Sequence, residues 1–249
     1  MVSMTMMMQV PSSALALVAF VVAALTPGTV HGFNVVPLVV APKGVSSLPL
    51  ALPLSRPPSS QTSLCMASSS STASERNQKV QELLKMARQH GPIGSFADEQ
   101  IQKDILELAK SLKEYSDPNP SEAPYRGVHN LVYSDSGAAS SGKLFGPVYG
   151  SVTQTFLDDN QTFINTVQIG PLQLSLRAER TKVNDMTNTV TFKETMAKAF
   201  GQTIVNKEIN GGGTWNYIFH GNVQDADGTE KLVRVMLAPS LFVIEQPVN

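Results

Sequence analysis

The sequence predicts a mainly β protein: an antiparallel β-barrel of about eight strands preceded by two α-helices. Three observations lead there. First, Gln161–Arg180, QTFINTVQIGPLQLSLRAER, holds two runs of alternating side chains joined by Gly170-Pro171. Phe163, Asn165, Val167 and Ile169 share one face of the first run, and Leu172, Leu174 and Leu176 share one face of the second. A period of two marks a half-buried strand, and Gly-Pro between the runs favours a turn. Second, the apolar spacing changes from helical to alternating at the proline-rich stretch Asp117–Pro124, DPNPSEAP. Third, turn pairs such as Asn210-Gly211 and Asp227-Gly228 separate the later runs.

The first helix is expected over Ser74–Gln89, with Ser74 as N-cap and Val80, Leu83, Leu84 and Ala87 on one face. Gly91-Pro92 ends it. A second helix is expected over Ala97–Tyr115, where Ile101, Ile105, Leu108, Leu112 and Tyr115 recur at helical spacing. Acidic residues open it and lysines close it, as the helix dipole prefers. Both helices are amphipathic and need an apolar partner, each other or the barrel.

Asp117–Pro124 reads as a stiff extended linker. Beyond it, strands are expected at Gly127–Ser134, Val148–Leu157, Thr162–Ile169, Leu172–Glu179, around Val190 and Phe192, and at Thr214–His220, Leu232–Leu237 and Leu241–Glu245. Eight antiparallel strands can close around one small ligand. An open sandwich fits the alternation nearly as well.

The N-terminus has a different composition. Residues 1–74 contain no Asp or Glu and only two basic residues, Lys43 and Arg56, so 17 basic residues face all 20 acidic ones beyond. A mildly acidic body argues against a nucleic-acid partner, and the asymmetry is that of a removable targeting segment. Ala14–Leu25 is an apolar run of signal-peptide length, too short to span a bilayer comfortably. Residues 33–73, rich in Ser, Pro, Ala and Leu, have transit-peptide composition. The junction VHGFNV resembles that of bipartite presequences in algae whose plastids lie inside the secretory route. A plain secreted protein is the alternative. The expected organisation is a signal peptide at 1–32, a disordered transit-like segment at 33–73, a helical pair at 74–116, a linker at 117–125 and the barrel at 126–249.

Signatures of catalysis are scarce. The only cysteine, Cys65, falls in the expected presequence, leaving the mature chain without disulfide, thiol nucleophile or thiolate ligand. His90, His129 and His220 lack metal-ligand spacing. Gly211-Gly212-Gly213 lacks the context of a phosphate cradle, and Asp225–Gly228 lacks the glutamate that completes a calcium loop, so both read as turns. No metal, cofactor or catalytic residue is expected. Asn160-Gln161-Thr162 is a glycosylation sequon that reads as a chance occurrence in a turn.

More specific is Gly127–Ser134, GVHNLVYS, directly after the linker. With the helical pair, the Pro-rich linker, the late Trp215-Asn-Tyr-Ile strand and the ending Leu232-Val-Arg-Val…Ser240-Leu-Phe-Val243, it resembles the plastid lipid-associated proteins called fibrillins or plastoglobulins. Gly127, Leu131, Tyr133 and Ser134 fit the first motif, while His129 stands where that family usually has Trp. The family's Asp before the Arg is not evident, and its second Arg falls near Leu237. The resemblance spans roughly residues 79–246. It implies a lipocalin-like (calycin-type) barrel that binds or organises isoprenoids, such as prenylquinones or carotenoids, at thylakoids or plastoglobules in the chloroplast.

The expected partner is therefore a hydrophobic small molecule or lipid, with peripheral association to a thylakoid or plastoglobule surface and no nucleic acid. Alternation nominates Phe163, Val167, Leu174, Leu176, Trp215, Tyr217 and Phe219 as pocket lining, with the Trp215 strand covering the apolar face of the Gly-Pro hairpin. Arg177 and Arg234 are candidates for a polar head group at the rim, with a plain solvated arginine as the more ordinary role for each. Two alternatives stand beside this reading. One is a cofactor-free lipid isomerase or cyclase using Glu179, Glu194, His129 or His220. The other is a structural or assembly protein acting through a protein partner.

Overall fold

A computed structural model describes residues 65–145, 148–225 and 227–247. Among the described residues two α-helices, α1 (Cys65–His90) and α2 (Glu99–Ser111), precede eleven strands. These are β1 (Gly127–Ser134), β2 (Lys143–Phe145), β3 (Val148–Tyr149), β4 (Ser151–Phe156), β5 (Thr162–Ile169) and β6 (Leu172–Asn184). They continue as β7 (Thr187–Ala199), β8 (Gln202–Glu208), β9 (Gly212–Gln224), β10 (Glu230–Leu237) and β11 (Leu241–Pro247). The main sheet runs β6-β5-β4-β1-β11-β10-β9-β7-β8, and β6 also pairs with β7. Eight antiparallel strands therefore close on themselves, which removes the edges an open sandwich would leave. Within the main sheet, the strand outside the closed circuit is β8, which pairs with Glu194–Ala199 of β7 where β9 pairs with Thr187–Thr191 of the same strand. The small hairpin β2-β3 stands apart.

The Gly-Pro hairpin forms as expected, with Ile169 opposite Leu172 and Gly170 at φ 52°. Asp225–Gly228 is likewise a turn: Gly228, at φ 84°, donates its N–H to the Asp225 carbonyl at 2.9 Å. The β7-β8 turn is Phe200-Gly201, both at positive φ, as a two-residue hairpin turn of the right twist requires.

Helix boundaries differ from expectation at their starts. α1 continues through Ser74 back to Cys65, into the segment expected to be transit-like and disordered; residues 1–64, which hold the rest of the presequence, lie outside the described residues. α2 begins at Glu99 after Asp98, and a separate 3-10 turn carries Lys113–Tyr115. Both helices lie on the outer wall of the barrel. Val80, Leu83, Leu84 and Ala87 of α1 and Ile105 and Ala109 of α2 form one buried cluster with Tyr133, Phe219, Val233, Val235 and Val243. Arg76 and Gln81 then fasten α1 to the β9 carbonyls of Asn222 and Gln224, at 2.9 and 2.7 Å. The helices thus cover one side of the wall and leave the inner face to the barrel.

The stretch expected to be an extended linker has a structural task. It turns through a 3-10 element at Pro120–Glu122 and delivers Tyr125, 1 % exposed, into the barrel. The Tyr125 hydroxyl donates to the Pro120 carbonyl at 2.9 Å. This segment plugs one end of the barrel.

Candidate functional site

Two zones make up the barrel interior. The first is an open cavity of about 640 Å³ whose walls include Leu131, Val152, Phe163, Leu176, Val190, Trp215, Met236, Phe242 and Ile244. Its mouth is at the end away from Tyr125, where Ser140, Gly211–Gly213, Ala238 and Pro239 line it. The rings of Phe163 and Trp215 meet at 4.7 Å between centroids, so the Trp215 strand does cover the greasy face of the Gly-Pro hairpin. A mostly apolar concavity with few polar groups is the usual form of a small-molecule site.

The second zone lies between the cavity and the Tyr125 plug. Parity along four strands turns polar side chains inward there: Gln154 follows Val152, Arg180 follows Leu176 and Ala178, Arg234 sits between Leu232 and Met236, and His129 precedes Leu131. Arg234 is wholly buried. Its Nη2 donates to Gln154 Oε1 at 2.7 Å, while Nε and Nη1 have no well-aligned acceptor and only the Tyr217 hydroxyl as a further polar neighbour. Gln154 lines the cavity and passes the chain of bonds on, its Nε2 donating to Asn165 Oδ1 at 3.0 Å. Arg180, 5 % exposed, is satisfied by neutral groups alone: it donates to the carbonyls of Asn160, Ser121 and Ala123 and to Asn160 Oδ1. Both guanidinium carbons lie 4.4 Å from the Tyr125 ring centroid, within cation–π range.

The electrostatics follow from that burial. Desolvation lowers the pKa of Arg234, with the Arg180 charge adding to the effect. Burial pushes His129 down to about 3, and the positive field of Arg234 helps. His220, which faces Arg234 across β9-β10, is pushed down to about 4, again chiefly by burial. Asp117, 3.3 Å from its Nδ1, works in the opposite direction without overcoming that burial. The Tyr125 hydroxyl is raised well above its ordinary value by burial. Neutral histidines therefore stand beside two fixed positive charges at pH 7.

Several nominated residues take their expected places. Phe163, Leu176 and Trp215 line the cavity. Val167, Leu174 and Tyr217 are not among the lining residues: Val167 and Leu174, paired across β5-β6, lie nearer the turn, and Tyr217 packs with Tyr125 and Phe156. Three others lie elsewhere. Phe219 faces outward onto the helices, because a bulge at Ile218 pairs Val235 with Phe219 but Met236 with Tyr217. An extra residue reverses the parity beyond it, which takes Phe219 out of the barrel and turns His220 in. Arg177 is exposed, paired across β6-β7 with Glu194 on the outer face, the ordinary solvated role. Arg234 is neither at a rim nor solvated: it is fully buried behind Gln154, which lines the cavity. Glu179, bound to Lys193 at 2.9 Å, also faces out, so of the four candidate acids and bases only the two histidines are interior.

No protein-family model, curated protein or solved structure matches this chain. The site must be read from its own geometry. Arg180 and Gln154 escaped nomination although their parity was legible; Tyr125 could not be found by parity at all, since it belongs to no strand. Among the described residues no three His, Cys, Asp or Glu side chains are grouped to hold a metal ion.

Proposed function

We propose that this protein is a non-enzymatic carrier that holds one hydrophobic molecule inside its barrel. The observation that carries the reading is the open cavity of about 640 Å³ between Phe163, Trp215 and Phe242, in a core that a purely structural barrel would fill with side chains. Covering roughly 400 Å² of ligand at about 25 cal/mol/Å² gives on the order of 10 kcal/mol gross, less association costs of about 4 kcal/mol or more. That is enough for a useful affinity without catalytic machinery. The resemblance to fibrillins favours an isoprenoid ligand and a plastid location, reached through the bipartite presequence, at a thylakoid or plastoglobule surface.

The enzymatic alternative would rest on His129 or His220, the interior bases. Bases held near 3 and 4 are weak at neutral pH and poorly matched to proton abstraction, which is why the carrier reading is preferred. Trp215, the only tryptophan, sits in the cavity wall and reports occupancy directly. Titration with a prenylquinone or carotenoid should quench its fluorescence saturably, and mass spectrometry of the protein purified from its source should find co-purifying lipid. Unchanged fluorescence together with no bound lipid would overturn the proposal and leave the assembly-protein reading.

A further inference from the structure

Arg234 presents an unsolved problem of charge. A guanidinium has five N–H donors, and this one, fully buried, makes a single well-aligned hydrogen bond, to a neutral amide oxygen, with the Tyr217 hydroxyl as its other polar neighbour. No Asp or Glu is buried among the described residues, and neither Arg234 nor Arg180 enters an ion pair there. The imidazole nitrogens of His129 and His220 are also buried and incompletely satisfied: His220 Nδ1 has the Asp117 carboxylate at 3.3 Å and His129 has the Arg126 backbone, neither in good hydrogen-bond alignment. Polar groups buried in this way are costly unless something completes them. The surplus is positive charge and N–H donors, so the complement is an anion.

The position of Gln154 says how an anion would arrive. Its side chain is both a wall of the apolar cavity and the well-aligned hydrogen-bond acceptor of Arg234. An oxygen pair entering from the cavity and displacing the Gln154 amide keeps the Arg234 bond and supplies an acceptor to Nη1 as well. A carboxylate on a guanidinium does this in bidentate fashion. We propose that the closed end of the barrel is an anion site and that the natural occupant is a single-chain amphiphile bearing one carboxylate, such as a long-chain fatty acid or an isoprenoid acid. Its head lies on Arg234, and its hydrocarbon runs past Phe163 and Trp215 towards the mouth. The inference rests on the carrier reading and narrows it from hydrophobic ligands in general to carboxylated ones.

The test compares head groups on one chain length. The full chain is titrated, with Trp215 fluorescence as the signal, against oleate, oleyl alcohol and a prenylquinone, each below its aggregation concentration. Oleate should bind about tenfold or more tightly than oleyl alcohol, the range expected of a charge-assisted hydrogen bond. In Arg234→Gln that preference should fall to near unity. Carboxyl-labelled oleate observed by carbon NMR should remain ionised to lower pH when bound to the wild type than when free. Should Arg234→Gln fail to fold, the head-group ratio and the NMR titration of the wild type decide alone. Equal binding of oleate and oleyl alcohol overturns the anion site and leaves the carrier intact, with Arg234 a structural plug. Binding of none of the three overturns both.

Discussion

Arg180 joins three separate pieces of chain with one side chain. Its donors reach the carbonyls of Ser121 and Ala123 in the plug and both oxygens of Asn160 in the β4-β5 turn, at 2.7 to 3.2 Å. Asn160 itself is at φ 57°, a left-handed conformation that asparagine tolerates better than most residues. Replacing Arg180 with Met would keep the aliphatic stem but remove its donors from four acceptors, of which the Ser121 carbonyl keeps a second donor in Asn188 Nδ2. Charge-assisted bonds of this kind are worth about 1.5–3 kcal/mol each, though a shared donor group does not contribute the full sum. We expect Arg180→Met to lower stability by about 3 kcal/mol in urea unfolding and to free the 117–125 segment for proteolysis. An unchanged midpoint would mean that the plug is held by Tyr125 packing alone. At this scale the sequence was partly legible. The alternation of Leu172, Leu174, Leu176 and Ala178 already placed Arg180 on the inner face, and what alternation could not supply was the partner, because Ser121 and Ala123 lie 59 and 57 residues away.

At the scale of elements, the outer wall depends on a tight junction between α1 and β1. Gly91 follows α1 directly, and a Cβ there would come within 2.0 Å of the Val132 carbonyl oxygen and 2.6 Å of the Ala87 carbonyl oxygen. Backbone atoms cannot move aside as a flexible side chain could. Gly91→Ala should therefore pry α1 from the wall and cost about 3 kcal/mol, at the upper end of overpacking penalties. Differential hydrogen exchange confined to α1 and β1 would locate the damage. Exchange spread evenly over all strands would contradict this account. The strands were legible where one face is apolar. β8 was missed because it buries no side chain: QTIVNKE is exposed along nearly its whole length and is held by backbone pairing with β7. The bulges at Val132 and Ile218 were missed for a different reason. A bulge is set by how two strands meet, so neither strand's own alternation announces it.

For the molecule as a whole, the buried histidines predict how stability responds to acid. His129 and His220 have folded pKa values of about 3 and about 4, below the ordinary 6.5 of an exposed imidazole. Where the folded pKa is depressed, the unfolded chain takes up the proton first. Their contribution is thus intact above pH 6.5 and drains away as pH falls, until the folded protein protonates near 4 and then near 3. Each histidine sets a limiting slope of about 1.4 kcal/mol per pH unit, so unfolding at pH 5 should require up to about 4 kcal/mol less than at pH 7. Asp135, whose carboxyl is raised by burial, acts in the opposite sense over its own titration. His129→Gln and His220→Gln should each flatten the slope, and a pH-independent stability between 7 and 5 would contradict the burial on which the whole interior reading rests. The same slope bears on the proposed anion site. Arg234 contributes to holding both histidines neutral, and a carboxylate laid on that guanidinium would cancel part of its field and lift both values. Stability measured with saturating oleate should then stop falling at a higher pH than with saturating oleyl alcohol, which fills the same cavity and leaves the charge uncompensated. Curves that level off at the same pH for the two ligands would place the oleate head somewhere other than beside Arg234.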